Sequence, residues 1–97
     1  MKVRWTYEAL KDLDEIEEYI ALDDGGRAYD FINELIDLGE SLEFDCKRGT
    51  IAKWTNDEAI RELYYKDYTL IYEIMDSEIL IHEVHNCAKM LRHFKRL

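Results

Sequence analysis

Hydrophobic and polar residues alternate at the start of the chain. Val3 and Trp5 fall on one side of an extended segment and Lys2 and Arg4 on the other, which predicts a strand over residues 2–7. From about Glu8 the period lengthens. Ala9, Leu13, Ile16 and Ile20 recur at helical spacing, with Asp12, Asp14, Glu15, Glu17 and Glu18 between them. The pattern predicts an amphipathic helix whose acidic run, Asp12 to Glu18, is a solvated face. Thr6 is placed to cap it, its hydroxyl accepting from a free amide of the first turn. Asp23-Asp24-Gly25-Gly26 interrupts the period, and paired glycines are expected to supply the positive φ of a turn. A second apolar stripe through Ala28, Phe31, Ile32, Leu35, Leu38 and Leu42 predicts a helix from Arg27 to Phe44. Two helices joined by so short a turn form an antiparallel hairpin, and neither buries its stripe alone.

The second half supplies the sheet. Cys46 to Asn56 reads as a loop rich in small and basic residues. Strand-like runs follow at Ile60–Tyr65, Tyr68–Met75 and Glu78–Val84, with Tyr68, Leu70, Tyr72 and Ile74 on one face. Lys66-Asp67 and Asp76-Ser77 between them have the length of tight hairpin turns but lack the glycine such turns favour. The tail, Asn86–Leu97, reads as a short amphipathic helix or an arm. The expected architecture is one α+β domain over residues 1–97: an N-terminal strand, a helix hairpin, a three-stranded antiparallel meander with the helices on one face, and a short tail.

Charge narrows the function. The 97 residues carry a net charge of −9. The first 45 hold four Lys and Arg against fourteen Asp and Glu, whereas the last twelve hold Lys89, Arg92, Lys95 and Arg96 and no acid. Such a chain repels bulk nucleic acid and meets it only through a local basic patch. Cys46 and Cys87 are too few and too far apart for a zinc site of the CxxC kind and read as free thiols. Neither a metal nor a cofactor is indicated. No apolar run approaches the ~18 residues of a membrane span, and the alternating N-terminus is not a signal peptide. A cytoplasmic location is expected.

Four segments, in order, carry a family resemblance. Trp5-Thr6-Tyr7-Glu8-Ala9-Leu10 continuing through Asp12-Leu13, Ile16 and Tyr19-Ile20 is similar to the strand-then-helix opening of the RelE/ParE superfamily of toxins. Arg27-Ala28-Tyr29-Asp30-Phe31-Ile32 resembles the start of that family's second helix. Ile60-Arg61-Glu62-Leu63 with Tyr68-Thr69-Leu70-Ile71-Tyr72 resembles its central hairpin, and Val84-His85 its exit from the last strand. The resemblance implies the toxin half of a type II toxin–antitoxin, or plasmid stabilisation, module. Its partner would be a cognate antitoxin whose C-terminal segment wraps the toxin, as a homodimer or a hetero-oligomer with that antitoxin. RelE-like members cut mRNA in the ribosomal A site, using the RNA's own 2′-hydroxyl as nucleophile. ParE-like members arrest growth by inhibiting DNA gyrase, with no catalytic set implied. This chain has Thr69 where many members carry an arginine, and its C-terminus lacks a clean match to the RelE arginine and tyrosine set. With the long acidic hairpin, that favours the ParE-like branch; the alternative is a ribosome-dependent endonuclease.

The candidate residues divide accordingly. On the RelE-like alternative, Arg61, His85 and His93 would be the catalytic groups, since the reaction needs a proton acceptor and cations beside a crowded phosphate. Arg61 shares a face with Leu63 and Tyr65, so it either lines a concave face as a free cation or pairs with an acid of the hairpin. Lys53, Lys89, Arg92, Lys95 and Arg96 are the partner- or anion-binding candidates, with Lys47 and Arg48 beside Lys53 in the loop. His82, in mid-strand, is expected to be structural.

Overall fold

The structure is a computed structural model, and residues 1–87 are the ones described. Strand β1 (Lys2–Trp5) leads into helices α1 (Tyr7–Ala21) and α2 (Gly25–Glu40), the latter extended by a 3-10 turn at Ser41–Glu43. Strands β2 (Thr50–Ile51), β3 (Ile60–Tyr65), β4 (Tyr68–Ile74) and β5 (Glu78–Asn86) follow. They form one five-stranded sheet in the order β1-β5-β4-β3-β2. The meander β3-β4-β5 is antiparallel, as the alternation predicts. The first strand joins it parallel to β5, from Lys2 opposite Glu78 to Trp5 opposite Ile81, so the whole sheet is mixed. A parallel pair needs a long crossover between its strands, and the helix hairpin lies within that connection.

The hairpin's apolar stripes, with Leu13, Ile16, Ile32 and Leu35 buried, pack on Leu63, Leu70, Tyr72, Ile79, Ile81 and Val84. Thr6 caps α1 as expected, its hydroxyl accepting from the Ala9 amide at 3.0 Å. Gly25 and Gly26 do not make the turn. They are the first residues of α2, which Asp24 caps by accepting from the Arg27 amide at 3.2 Å, and no described glycine has a positive φ. An aspartate cap satisfies a free amide without any left-handed residue, so Leu22–Asp24 suffices to reverse the chain. The segment expected to be a loop, 46–56, holds β2 and a 3-10 turn at Lys53–Thr55. Trp54 and Ala52 pack there against Ile60 and Ile71, a second small core on the other side of the sheet.

The missing glycine of the β3–β4 turn is replaced by Lys66 at φ 54°. A left-handed lysine is strained, and its contacts offset the strain. Its ammonium lies 3.5 Å from Glu34 and 5.2 and 5.5 Å from the ring centres of Tyr65 and Phe31. Tyr65 also donates a short hydrogen bond to Glu34, which ties α2 to this turn.

At the opposite edge, Arg4 grips Glu78 with Nη2 to Oε1 at 2.7 Å and Nε to the two oxygens at 3.2 and 3.3 Å. That hydrogen bond, more than the charge itself, holds the Glu78 carboxyl below its ordinary range. A carboxyl lowered on folding contributes stability that is complete above the unfolded pKa and lost as pH falls through the folded one. A carboxyl-resolved NMR titration should therefore place Glu78 below its ordinary value in the native chain and return it toward that value in Arg4→Ala. The effect on stability is small because the pair is exposed.

Candidate functional site

Strand register sorts the chemistry of the sheet into two faces. Cross-strand partners share a face. Arg61, Tyr72 and Ile81 form one row on the helix side, with Leu63, Leu70 and Val84 forming the next. On the outer side, Glu62, Ile71 and Glu83 make one row and Tyr64, Thr69 and His85 another. A bulge in β5, where Ile71 faces Glu83 but Tyr72 faces Ile81, leaves His82 as the extra residue. His82 Nε2 lies 2.8 Å from Glu73 Oε1, so this histidine is held by a carboxylate. Across β3, β4 and β5 the outer side carries Glu62, Glu73, Glu78 and Glu83 and no lysine or arginine, with Lys2 and Arg4 of β1 beside Glu78 at the edge.

Arg61 takes neither of the two places expected of it. It is on the helix side with Leu63 and Tyr65, yet it pairs with no acid of the hairpin there. Its Nη1 donates to the carbonyls of Gly49 at 2.6 Å and Lys47 at 3.2 Å. The neighbouring Tyr72 hydroxyl accepts from the Gly49 amide at 2.9 Å and donates to the Cys46 carbonyl at 2.7 Å. Two strand side chains thus pin the 46–49 loop, whose own polar backbone supplies the partners. Burial pushes the Tyr72 phenol above its usual range, with the Gly49 amide working the other way. Tyr72→Phe removes two hydrogen bonds and leaves the Gly49 amide short of an acceptor. It should cost about 2 kcal/mol in denaturant unfolding; a loss within experimental error would show that the loop is held by other contacts.

Sequence reasoning missed Asp12. It is 2% exposed, not part of a solvated face. The signal was present: Ala9, Asp12, Leu13 and Ile16 stand at i, i+3, i+4 and i+7, so Asp12 lies on the apolar stripe itself. The buried carboxylate serves β5 where β1 has ended. Beyond Trp5 and Ile81 that edge has no strand, and α1 takes over: the Thr6 amide donates to Ile81 at 3.0 Å, the Thr6 hydroxyl to His82 at 2.9 Å, and Asp12 Oδ2 accepts from the Val84 amide at 3.0 Å. Buried backbone groups require such partners.

Where α1 meets the end of β5, a cavity of about 280 Å³ is lined by Asp12, Glu15, Tyr19, Tyr68, Val84 and His85 among others. Tyr19 and Tyr68 also border a wider groove toward the hairpin tip, which holds Asp24, Asp30 and Glu34 against Arg27 and Lys66. Of the expected site residues among the described ones, His85 reaches the cavity; Arg61 lies in the loop clamp and Lys53 in the 3-10 turn after β2. His93, Lys89, Arg92, Lys95 and Arg96 lie outside the described residues, as does the form of the tail after Cys87. Arg48 donates to the Ser41 hydroxyl at 3.1 Å, back toward the end of α2. Thr69 is buried, its hydroxyl 3.0 Å from Cys87 Sγ. Tyr64 is a neutral hydroxyl at physiological pH, its pKa raised by partial burial and then by the Glu62 carboxylate. Both cysteines are free thiols. Among the described residues no group of three His, Cys, Asp or Glu is placed to hold a metal, and no helix is long and apolar enough to cross a membrane.

No curated protein sequence matches the chain. A chain of the chromosomal ParDE TA system from P. aeruginosa superposes with a TM-score of 0.76, covering 89% of this chain and 95% of that one at 19% identity. At that identity the likeness shows the fold alone. The family described as ParE toxin of type II toxin-antitoxin system, parDE, matches residues 3–89, nearly the full length. The chain therefore belongs to the ParE toxins of type II toxin–antitoxin systems.

Proposed function

We propose that this ParE-family toxin arrests growth by binding a protein target, DNA gyrase, and that a cognate antitoxin holds it inactive in the cell. One observation carries the choice of a protein over RNA. Along β3, β4 and β5 the side of the sheet away from the helices holds Glu62, Glu73 and a buried Glu83 without a lysine or arginine, while Arg61 is turned to the other side and engaged by the carbonyls of Lys47 and Gly49. Cutting a phosphodiester bond requires cations around the phosphate, and carboxylates in their place repel it. Membership of the ParE toxins supports gyrase as the protein, and the ParDE likeness supports the antitoxin.

Induction of the chain in a bacterial host, followed by primer extension on translated messages, tests this reading. Growth should stop without cuts at A-site codons, and co-expression of the small protein encoded beside it should restore growth. A-site cuts would replace the proposal with mRNA cleavage, and uninterrupted growth would remove the toxin activity altogether.

A further inference from the structure

The segment from the end of α2 through β2 reverses the charge of the rest of the chain. Residues 44–53 carry Lys47, Arg48 and Lys53 against one acid, Asp45, in a protein of net charge −9. All three cations are exposed. Arg4, Arg27 and Lys66 each lie against a carboxylate. Lys47, Arg48 and Lys53 pair with no carboxylate among the described residues, and neither does Arg61, whose guanidinium lies 3.2 Å from the Lys47 carbonyl. Its charge therefore adds to theirs at the loop.

Two further features accompany the charge. Phe44 is 87% exposed, and Ile51 is exposed on β2. A lone exposed apolar side chain needs no explanation, but β2 is also the last strand of the sheet, and no strand pairs with its far edge among the described residues. Such an edge accepts an added strand. The backbone behind the patch is fixed. Arg61 and Tyr72 hold the Cys46, Lys47 and Gly49 backbone, and a Cβ on Gly49 would lie 2.7 Å from the Glu62 carbonyl oxygen. A surface fixed in advance loses little entropy on binding. A phosphate backbone carries charge along its whole length and would soon meet the acidic body of the chain, which repels it. A short acidic peptide meets the patch alone, and its backbone can pair with β2.

We propose that Phe44, Lys47, Arg48 and the open edge of β2 form a docking surface for an acidic peptide segment of a partner protein. The segment adds to the sheet as a strand, its carboxylates meeting the two cations and its apolar side chains meeting Phe44 and Ile51. The surface goes beyond the gyrase reading and does not rest on it.

Amide NMR titration of the full-length chain tests it with three probes: the peptide Glu-Val-Glu-Ile-Glu-Val, its counterpart Lys-Val-Lys-Ile-Lys-Val, and oligouridylate. The acidic peptide should shift the amides of residues 44–51 saturably. The double variant Lys47→Glu, Arg48→Glu should weaken that binding about tenfold, and Phe44→Ser about threefold. These side chains are exposed, so the melting temperature should stay within error of the parent in both variants. The bulk charge of −9 by itself favours the lysine peptide, so the order of the two peptides separates the patch from the body of the chain. No saturable shift at 44–51 overturns the proposal, as does equal or tighter binding of the lysine peptide there. Undiminished affinity in the double variant overturns it too. Oligouridylate binding these residues more tightly than the acidic peptide assigns the patch to nucleic acid and also overturns it.

Discussion

Gly39→Ala should lower stability by about 2 kcal/mol, although alanine is the better helix former by about 1 kcal/mol. A Cβ at this position would lie 2.5 and 2.6 Å from two ring carbons of Trp5 and 2.9 Å from Ile81 Cδ1. Neither neighbour can yield cheaply. Trp5 Nε1 is hydrogen-bonded to Glu40 at 2.7 Å, and Ile81 is fully buried. The glycine is there because α2 approaches β1 and β5 more closely than any side chain permits. Gly25→Ala is the internal control. A Cβ there meets nothing within 4 Å, so the change should stabilise by about 0.5 kcal/mol through the unfolded chain. Thermal unfolding of the two variants should thus move in opposite directions. Parallel shifts would mean that helix propensity, and not the contact with Trp5, governs residue 39.

Asp12→Ala should cost more, about 3 kcal/mol. It removes a charge-assisted bond from the Val84 amide and leaves that buried donor without its acceptor. Asp12→Asn keeps an oxygen in place and should lose about half as much. Hydrogen exchange offers the local readout: the Val84 amide should become the fastest-exchanging core amide of β5 in Asp12→Ala. Stability within 0.5 kcal/mol of the parent in Asp12→Ala, with Val84 still protected, would show that α1 does not serve as the missing strand. Because the cavity shares Asp12 with this contact, the variant is a probe of the fold and not of target binding.

Much of the fold was legible because periodicity reports burial. Helical spacing marked both helices, and the alternation of Tyr68 to Ile74 marked the face that packs on them. What escaped was set by contacts distant in sequence. Nothing local in Lys2–Trp5 says that this strand runs parallel to β5, more than seventy residues on. The two-residue β2 is held by its pairing with Glu62 and Arg61 and has no pattern of its own. Gly25 and Gly26 misled because an aspartate cap made their special backbone freedom unnecessary.

The site residues followed the same division. The alternation put Arg61 on the correct face, but its partners are carbonyls of a loop, which composition does not advertise. Glu83 needed the bulge at His82, since strict alternation from Ile81 would turn it to the helix side. Asp12 was readable from its position on the stripe. The acids around it, Glu15, Glu17 and Glu18, made it look like one more solvated charge.

On the function proposed above, the acidic outer face belongs to a toxin that engages a protein and not a phosphate backbone. Supercoiling of relaxed plasmid by purified DNA gyrase, with the chain added, tests it most directly. Micromolar chain should abolish supercoiling, and a stoichiometric amount of its antitoxin should restore it. Full gyrase activity in the presence of chain that still arrests growth would contradict the account.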